Sequence, residues 1–244
     1  MKILLAPSES KKSSGEVNFN PSSLLFDALY PHRIQLLHTY TNIIQQGDTE
    51  ILSKMFGIKK ESEIKKYQKE IIHELGMKAI ERYTGVAFDY LKYHEMSKAS
   101  QEYIDTHVIL FSNLFGPIKA DDMIPEYKLK QGEAVGEIKP EKFYKEHAST
   151  LMDDYLAGEE ILDLRAGFYD KFYKPSMPYT TLKFIKEGKV VSHWAKAYRG
   201  IVLREIALAG VTSIEAFKQL KIEGLEMDTI ETKKNKTEII YTIG

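Results

Sequence analysis

Cysteine is absent from the 244-residue chain, which excludes disulfides, thiolate metal sites and a cysteine nucleophile. An excess of either charge is also lacking: 34 Lys and Arg oppose 35 Asp and Glu, for a formal net charge of -1. A strongly basic chain would advertise nucleic-acid binding, so any such role here needs a local patch. No apolar run approaches the roughly 20 residues of a membrane helix. The short apolar stretch at 3–6 is no secretion signal. A cytoplasmic protein without a membrane role is expected. The histidines at 32, 38, 73, 94, 107, 147 and 193 form no HExxH or His-x-x-x-His pair, and neither a P-loop nor a GxGxxG occurs. No metal or cofactor is therefore expected. Asp121 and Asp122 are adjacent, but a loop pair of this kind is ordinarily solvated.

What is present suffices for a core, with 43% apolar residues and no repeat, linker or low-complexity tract. The segments KILLA (2–6), HVILFSNLFGP (107–117) and EILDLRAGFY (160–169) read as buried strands. Residues 31–93 are helical by period. One helix is expected to end at Gly47, and another to carry Ile64, Tyr67, Ile71 and Leu75 on one face. Asn20-Pro21 marks a helix start, and 140–158 is a helix with Pro at its start and Gly past its end. Residues 180–194 read as a hairpin turning at Glu187-Gly188; helices at 195–209 and near SIEAFKQL follow, then a second hairpin with a lysine-rich tip. The expected fold is α+β: a single mixed α/β domain over 1–244 with a mixed sheet, several helices and a C-terminal β-hairpin.

Each apolar strand runs into a polar loop: Ser8, Glu9 and Lys11; Ser112 and Asn113; Asp163 and Arg165; Ser192, His193 and Lys196. If the strands are neighbours, these loops converge on one cleft. SHWAKAYRG (192–200) places Lys196, Arg199 and Gly200 on one helical stripe near a helix start. Two cations there suit an anion better than they suit the helix dipole, although Glu9 or Asp163 could also pair with them. Gly200 inside a helix costs about 1 kcal/mol relative to alanine, so something must approach the backbone there. Trp194 is expected in the core. His193, Asp163 and Glu9 are the candidates for acid–base catalysis.

In order along the chain, ILLAPSESK, RYTGVAFDYL, ILFSNLFGPIKADDMIPEYKLKQG, ILDLRAGFY and VVSHWAKAYRG resemble the blocks of the peroxide stress protein YaaA family. The departures are Phe115 where many members have Tyr, Lys119-Ala120 in place of Arg-Pro, Asp163 to Ala166 in place of Asn-Leu-Ala-Ser, and His147 where a tryptophan is common. The resemblance implies a YaaA-like fold and a role in surviving hydrogen peroxide by limiting free intracellular iron. It also implies a basic cleft proposed to bind DNA through a helix-hairpin-helix element, for which residues 208–220 are the best match here. The cleft residues it implies are Ser8, Lys11, Tyr83, Gly85, Asp121, Tyr127, Lys128, Asp163, Arg165, His193, Lys196 and Arg199.

Two functions are compatible with these residues. In the first, Lys11, Lys128, Arg165, Lys196 and Arg199 hold the phosphates of double-stranded DNA without sequence preference, with Tyr127 or His193 stacking on bases. In the second, the same cations grip a nucleotide or other phosphorylated small molecule on which an enzyme acts. An open groove distinguishes the first, an enclosed pocket the second.

Overall fold

Ile3, Leu4 and Leu5 are all buried in strand β1 (Lys2–Leu5), the pattern of a parallel strand covered on both faces. A computed structural model describes the chain from Met1 to Gly244, leaving out the side chains of Val190, Ser192 and His193. Beyond the polar loop lie β2 (Val17–Asn18) and a 3-10 turn at Pro21–Ser23, where the Asn20 side chain accepts the Ser22 amide at 3.1 Å. Helices α1 (Tyr30–Gln46) and α2 (Thr49–Phe56) follow, and α1 stops at Gly47 as its period predicts.

Residues 61–76 depart from the predicted helix. Only α3 (Glu61–Ile64) is α-helical there; two 3-10 turns lead instead into strand β3 (Leu75–Lys78). Tertiary contacts override the local period. A Cβ on Gly76 would lie 3.1 Å from that of Met123, and the Leu75 carbonyl accepts from the buried Arg82 guanidinium at 2.9 Å. Arg82 also donates to the carbonyls of Lys12, Ser14 and Ile124, stapling the first loop to this region. Arg82 ends α4 (Ala79–Arg82), which precedes α5 (Val86–Leu91) and α6 (Lys98–His107).

Strands β4 (Val108–Ser112), β5 (Gly116–Lys119) and β6 (Met123–Ile124) come next, then α7 (Pro140–Leu156) and β7 (Ile161–Asp163). The strand predicted over 160–169 ends at Asp163, because the Arg165 amide folds back onto that carboxylate at 3.0 Å. The chain continues as β8 (Tyr179–Lys186), β9 (Lys189–Val190), α8 (Ser192–Ala209) and α9 (Ile214–Gln219), and closes with β10 (Leu225–Lys233) and β11 (Lys236–Ile243). Glu187 and Gly188 turn the β8–β9 hairpin with φ of 50° and 72°, the left-handed pair that a two-residue turn between twisted strands needs.

The main sheet has the order β10-β11-β8-β7-β1-β4-β5, with β9 beside β8; β2, β3 and β6 form a small second sheet. From β4 through β1, β7 and β8 to β11 every pairing is parallel, while β5, β9 and β10 pair antiparallel. This is the predicted mixed α/β architecture, with its parallel strands at the centre. Among the described residues no helix is long and apolar enough to cross a membrane.

Candidate functional site

From β1 the chain proceeds to β4 on one flank, and from β7 to β8 on the other. The gap beyond the carboxyl ends of β1 and β7 is therefore a topological switch point, the usual place for a ligand in such sheets. A cavity of about 310 Å³ occupies it. Its walls are residues 5–9 after β1, Leu164, Ala166 and Tyr169 after β7, residues 85–88 at the start of α5, Gln131, and Lys196 and Arg199 of α8.

The predicted convergence of loops is thus met by the ends of β1 and β7 and by α8. The loop after β4 lies one layer behind, where the Asn113 Oδ1 accepts from the Tyr169 hydroxyl at 3.2 Å. Gly200 is explained by protein packing. A Cβ there would stand 2.0 Å from the Ala87 carbonyl oxygen, so the close approach is made by α5. That crossing sets residues 85–88 as a cavity wall. Gly85 begins it with φ 103°, a conformation that disfavours any side chain, and its α-carbon faces the Ser8 hydroxyl.

The five predicted cations have different fates. Arg165 is consumed by Asp163: Nε donates to Oδ1 at 2.8 Å and Nη2 to Oδ2 at 2.7 Å, with both residues buried. Its guanidinium also lies 4.3 Å from the Phe111 ring centre. Lys128 faces the Glu9 carboxylate at 3.6 Å, and the same carboxylate accepts the Gln131 amide at 3.0 Å. Lys11 tucks behind the wall. Its Nζ donates to the carbonyls of Ser8 at 3.2 Å and Glu9 at 3.4 Å and sits 3.9 Å from the centre of the Tyr127 ring.

Lys196 and Arg199 differ from these three. Neither forms an ion pair or hydrogen bond among the described residues, although both line the cavity. Arg199 is largely enclosed. Burial pushes its pKa down, and the charge of Asp163 opposes that shift.

Behind the wall, the Tyr83 hydroxyl lies 3.0 Å from that of Tyr127, which lies 2.8 Å from the Ser112 hydroxyl. Burial drives both phenols upward, Tyr127 to about 12, so they remain protonated. Asp121 is not part of this assembly. The Ala120 amide bonds to the Val108 carbonyl, which places Asp121 off the opposite end of β4, paired with Lys119 at 3.2 Å. Asp122 accepts the amides of Leu25 and Lys119, so the acidic pair is engaged by protein, and among the described residues no cluster could hold a metal.

The His193 side chain, a predicted catalytic candidate, lies outside the described residues. Trp194 is not in the core: α8 begins at Ser192, turning Trp194 outward with 43% exposure, and Lys186 stands 5.5 Å from its ring centre. In the helix-hairpin-helix candidate, α9 has only six residues, and the Ser213 side chain and the Glu160 carboxylate take its Ala216 and Ile214 amides. Gln131 and residues 86–88 escaped sequence reasoning, since a backbone amide contact and a helix crossing leave no residue-type signal.

The family model described as "Peroxide stress protein YaaA" matches residues 1–231. The chain belongs to that family. An uncharacterized protein of Campylobacter jejuni is 45% identical over 94% of this chain and 98% of its own. UPF0246 proteins of Streptomyces coelicolor and Corynebacterium efficiens are 26% and 28% identical, over 91% and 100% of both chains respectively. Family membership links the chain to the peroxide stress response.

Lys11 gives this region a pH dependence. Burial first, then repulsion from Lys128, lowers its pKa from 10.5 to about 7, with Glu9 and Glu126 opposing. Between those values the unfolded chain holds a proton that the folded chain lacks. Stability from this group therefore rises with pH from about 7 to about 10, by at most about 1.4 kcal/mol per pH unit. Urea unfolding at a series of pH values should show this rise in the wild type and a flatter profile in Lys11→Met. Parallel profiles would count against an enclosed amine.

Proposed function

We propose that this family member binds a small phosphorylated molecule, of nucleotide or sugar-phosphate class, in the switch-point cavity as part of the peroxide stress response. Arg199 carries the reading. Arg199 lines both this cavity and a second one of about 230 Å³, and its guanidinium has no carboxylate or carbonyl partner within hydrogen-bond reach among the described residues. Enclosing an unpaired cation costs several kcal/mol, and a phosphate in the cavity offsets that cost with bidentate hydrogen bonds. Lys196, one turn earlier, supplies a second charge at the mouth. A cavity of this size admits a small ligand and is too narrow for a duplex. The catalytic reading then rests on Glu9 and on His193, whose side chain lies outside the described residues, because Asp163 is held by Arg165.

One observation favours the nucleic-acid reading as a second possibility. Exposed Trp194, with Lys186 beside its ring, combines an aromatic face with a cation, as nucleic-acid platforms do. On either reading, an effect on free iron would be indirect.

Calorimetric titration with inorganic pyrophosphate and nucleoside phosphates tests the first reading. Arg199→Gln is expected to weaken binding by about tenfold to a hundredfold, the loss of one charge-assisted bidentate contact, with an unfolding midpoint no lower than that of the wild type, since an unpaired charge has been removed. No detectable phosphate binding by the wild type would sink it. Duplex binding that falls steeply with salt and disappears in Trp194→Ala/Lys186→Gln would put the second reading first.

A further inference from the structure

Among the described residues, Glu9 is the only carboxylate in the wall of the switch-point cavity, and it shares that wall with Lys196 and Arg199. It pairs with neither of them. Its ion pair is with Lys128, outside the wall, whose Nζ stands 3.6 Å from Oε2. That separation is too long for a hydrogen bond. Oε1 accepts the backbone amide of Gln131, another wall residue, at 3.0 Å, which lays the carboxylate along the wall. A carboxylate offers about four acceptor positions. The protein takes one of them by hydrogen bonding and leaves Oε2 without a donor among the described residues.

Two neutral groups of the same wall add to this acceptor. The Ser8 hydroxyl accepts the Ser10 amide at 3.2 Å, while its own proton has no acceptor among the described residues. The Gln131 carboxamide has no hydrogen-bond partner there either. One cavity thus carries two cations without partners and, apart from them, a cluster suited to neutral polar groups. Pro7, Val86 and Phe88 supply apolar surface in the same wall.

We infer that the ligand of this cavity is a phosphorylated sugar with a vicinal diol, of ribose type, and that Glu9 accepts hydrogen bonds from the diol. The inference rests on the phosphate reading, in which Arg199 and Lys196 hold the phosphate. Two adjacent hydroxyls donate two nearly parallel bonds, which matches the two oxygens of one carboxylate. Acidic side chains read ribose in this way beside the phosphate sites of other parallel sheets. An ammonium group fits less well. Glu9 already has a countercharge in Lys128, and Lys196 and Arg199 would repel a further cation. A hydroxyl brings no charge to be opposed.

The first comparison uses the wild-type protein, so no variant has to fold. It is titrated calorimetrically with ribose 5-phosphate against 2-deoxyribose 5-phosphate, and with adenosine monophosphate against its 2'-deoxy form. Losing the 2-hydroxyl should weaken binding by about tenfold to a hundredfold, the loss typical of a hydrogen bond to a charged group. In Glu9→Gln the side-chain carbonyl still takes the Gln131 amide, but a donor replaces the free oxygen. The deoxy penalty should there shrink to less than about threefold. In Arg199→Gln both members of a pair should weaken together and the penalty should stay. The pair that binds more tightly shows whether the diol belongs to a free sugar phosphate or to a nucleotide.

Equal binding of hydroxy and deoxy forms by the wild type overturns the inference. If inorganic pyrophosphate then still binds in an Arg199-dependent way, the phosphate reading stands without it. A deoxy penalty that survives in Glu9→Gln also overturns it, because other residues then read the diol. If no phosphorylated compound binds, pyrophosphate included, the phosphate reading fails and the inference fails with it.

Discussion

Asp163→Ala is expected to lower folding stability by about 3–5 kcal/mol, the loss typical of breaking a buried ion pair from one side. Asp163 and Arg165 have side chains only 5% and 1% exposed, and the carboxylate accepts from the amide, Nε and Nη2 of Arg165. Without the carboxylate, the guanidinium retains the Tyr169 carbonyl at 3.3 Å and the faces of Phe111 and Tyr173. Those partners do not balance a full charge. Pairing Asp163→Ala with Arg165→Met should recover most of the loss, because the remaining pocket is aromatic and the cation has gone. Urea unfolding of both singles and the double measures this. If Asp163→Ala unfolds within about 1 kcal/mol of wild type, the pair is not structural, and Asp163 regains its claim to the chemistry of the cavity.

Gly200→Ala should destabilise the protein despite improving helix propensity. Alanine gains about 1 kcal/mol in a helix interior. Its Cβ, however, would lie 2.0 Å from the oxygen, 2.9 Å from the carbonyl carbon and 3.1 Å from the Cα of Ala87. These are backbone atoms of α5 and cannot rotate aside. Separating the two helices costs about 1–3 kcal/mol or more, as overpacking does. The displaced helix carries residues 85–88 of the cavity wall, so phosphate affinity should fall by more than about tenfold, in keeping with the geometric sensitivity of preorganised sites. Thermal unfolding and calorimetric titration read the two effects separately. A variant more stable than wild type would show that the helices are not in contact at this point.

Several features of the fold were legible because a local cause sets them. The buried run at β1, the stop of α1 at Gly47, the Glu187-Gly188 turn and the C-terminal hairpin follow from apolar runs, helix-ending glycine and turn chemistry. Residues 61–76 were misread because their helical period is real but weak. The competing forces are the Arg82 guanidinium and the packing of Gly76 on Met123, both distant in sequence. Trp194 was placed in the core on residue type alone, whereas the start of α8 at Ser192 turns it to solvent.

The candidate site divides the same way. Sequence by itself selected Ser8, Glu9, Gly85, Lys196 and Arg199, all of which line the cavity, since polar groups at strand ends and cations at a helix start are visible as residue types in order. It also established the family, through blocks that run nearly end to end. Only the tertiary structure decided which cations are available. Arg165 and Lys128 are matched by carboxylates and Lys11 is turned onto carbonyls and rings, whereas Arg199 is left facing the cavity. Charge is a property of the residue; whether it is already neutralised depends on what the fold brings within a few ångströms, because Coulomb energy and desolvation are set by distance and burial rather than by sequence order.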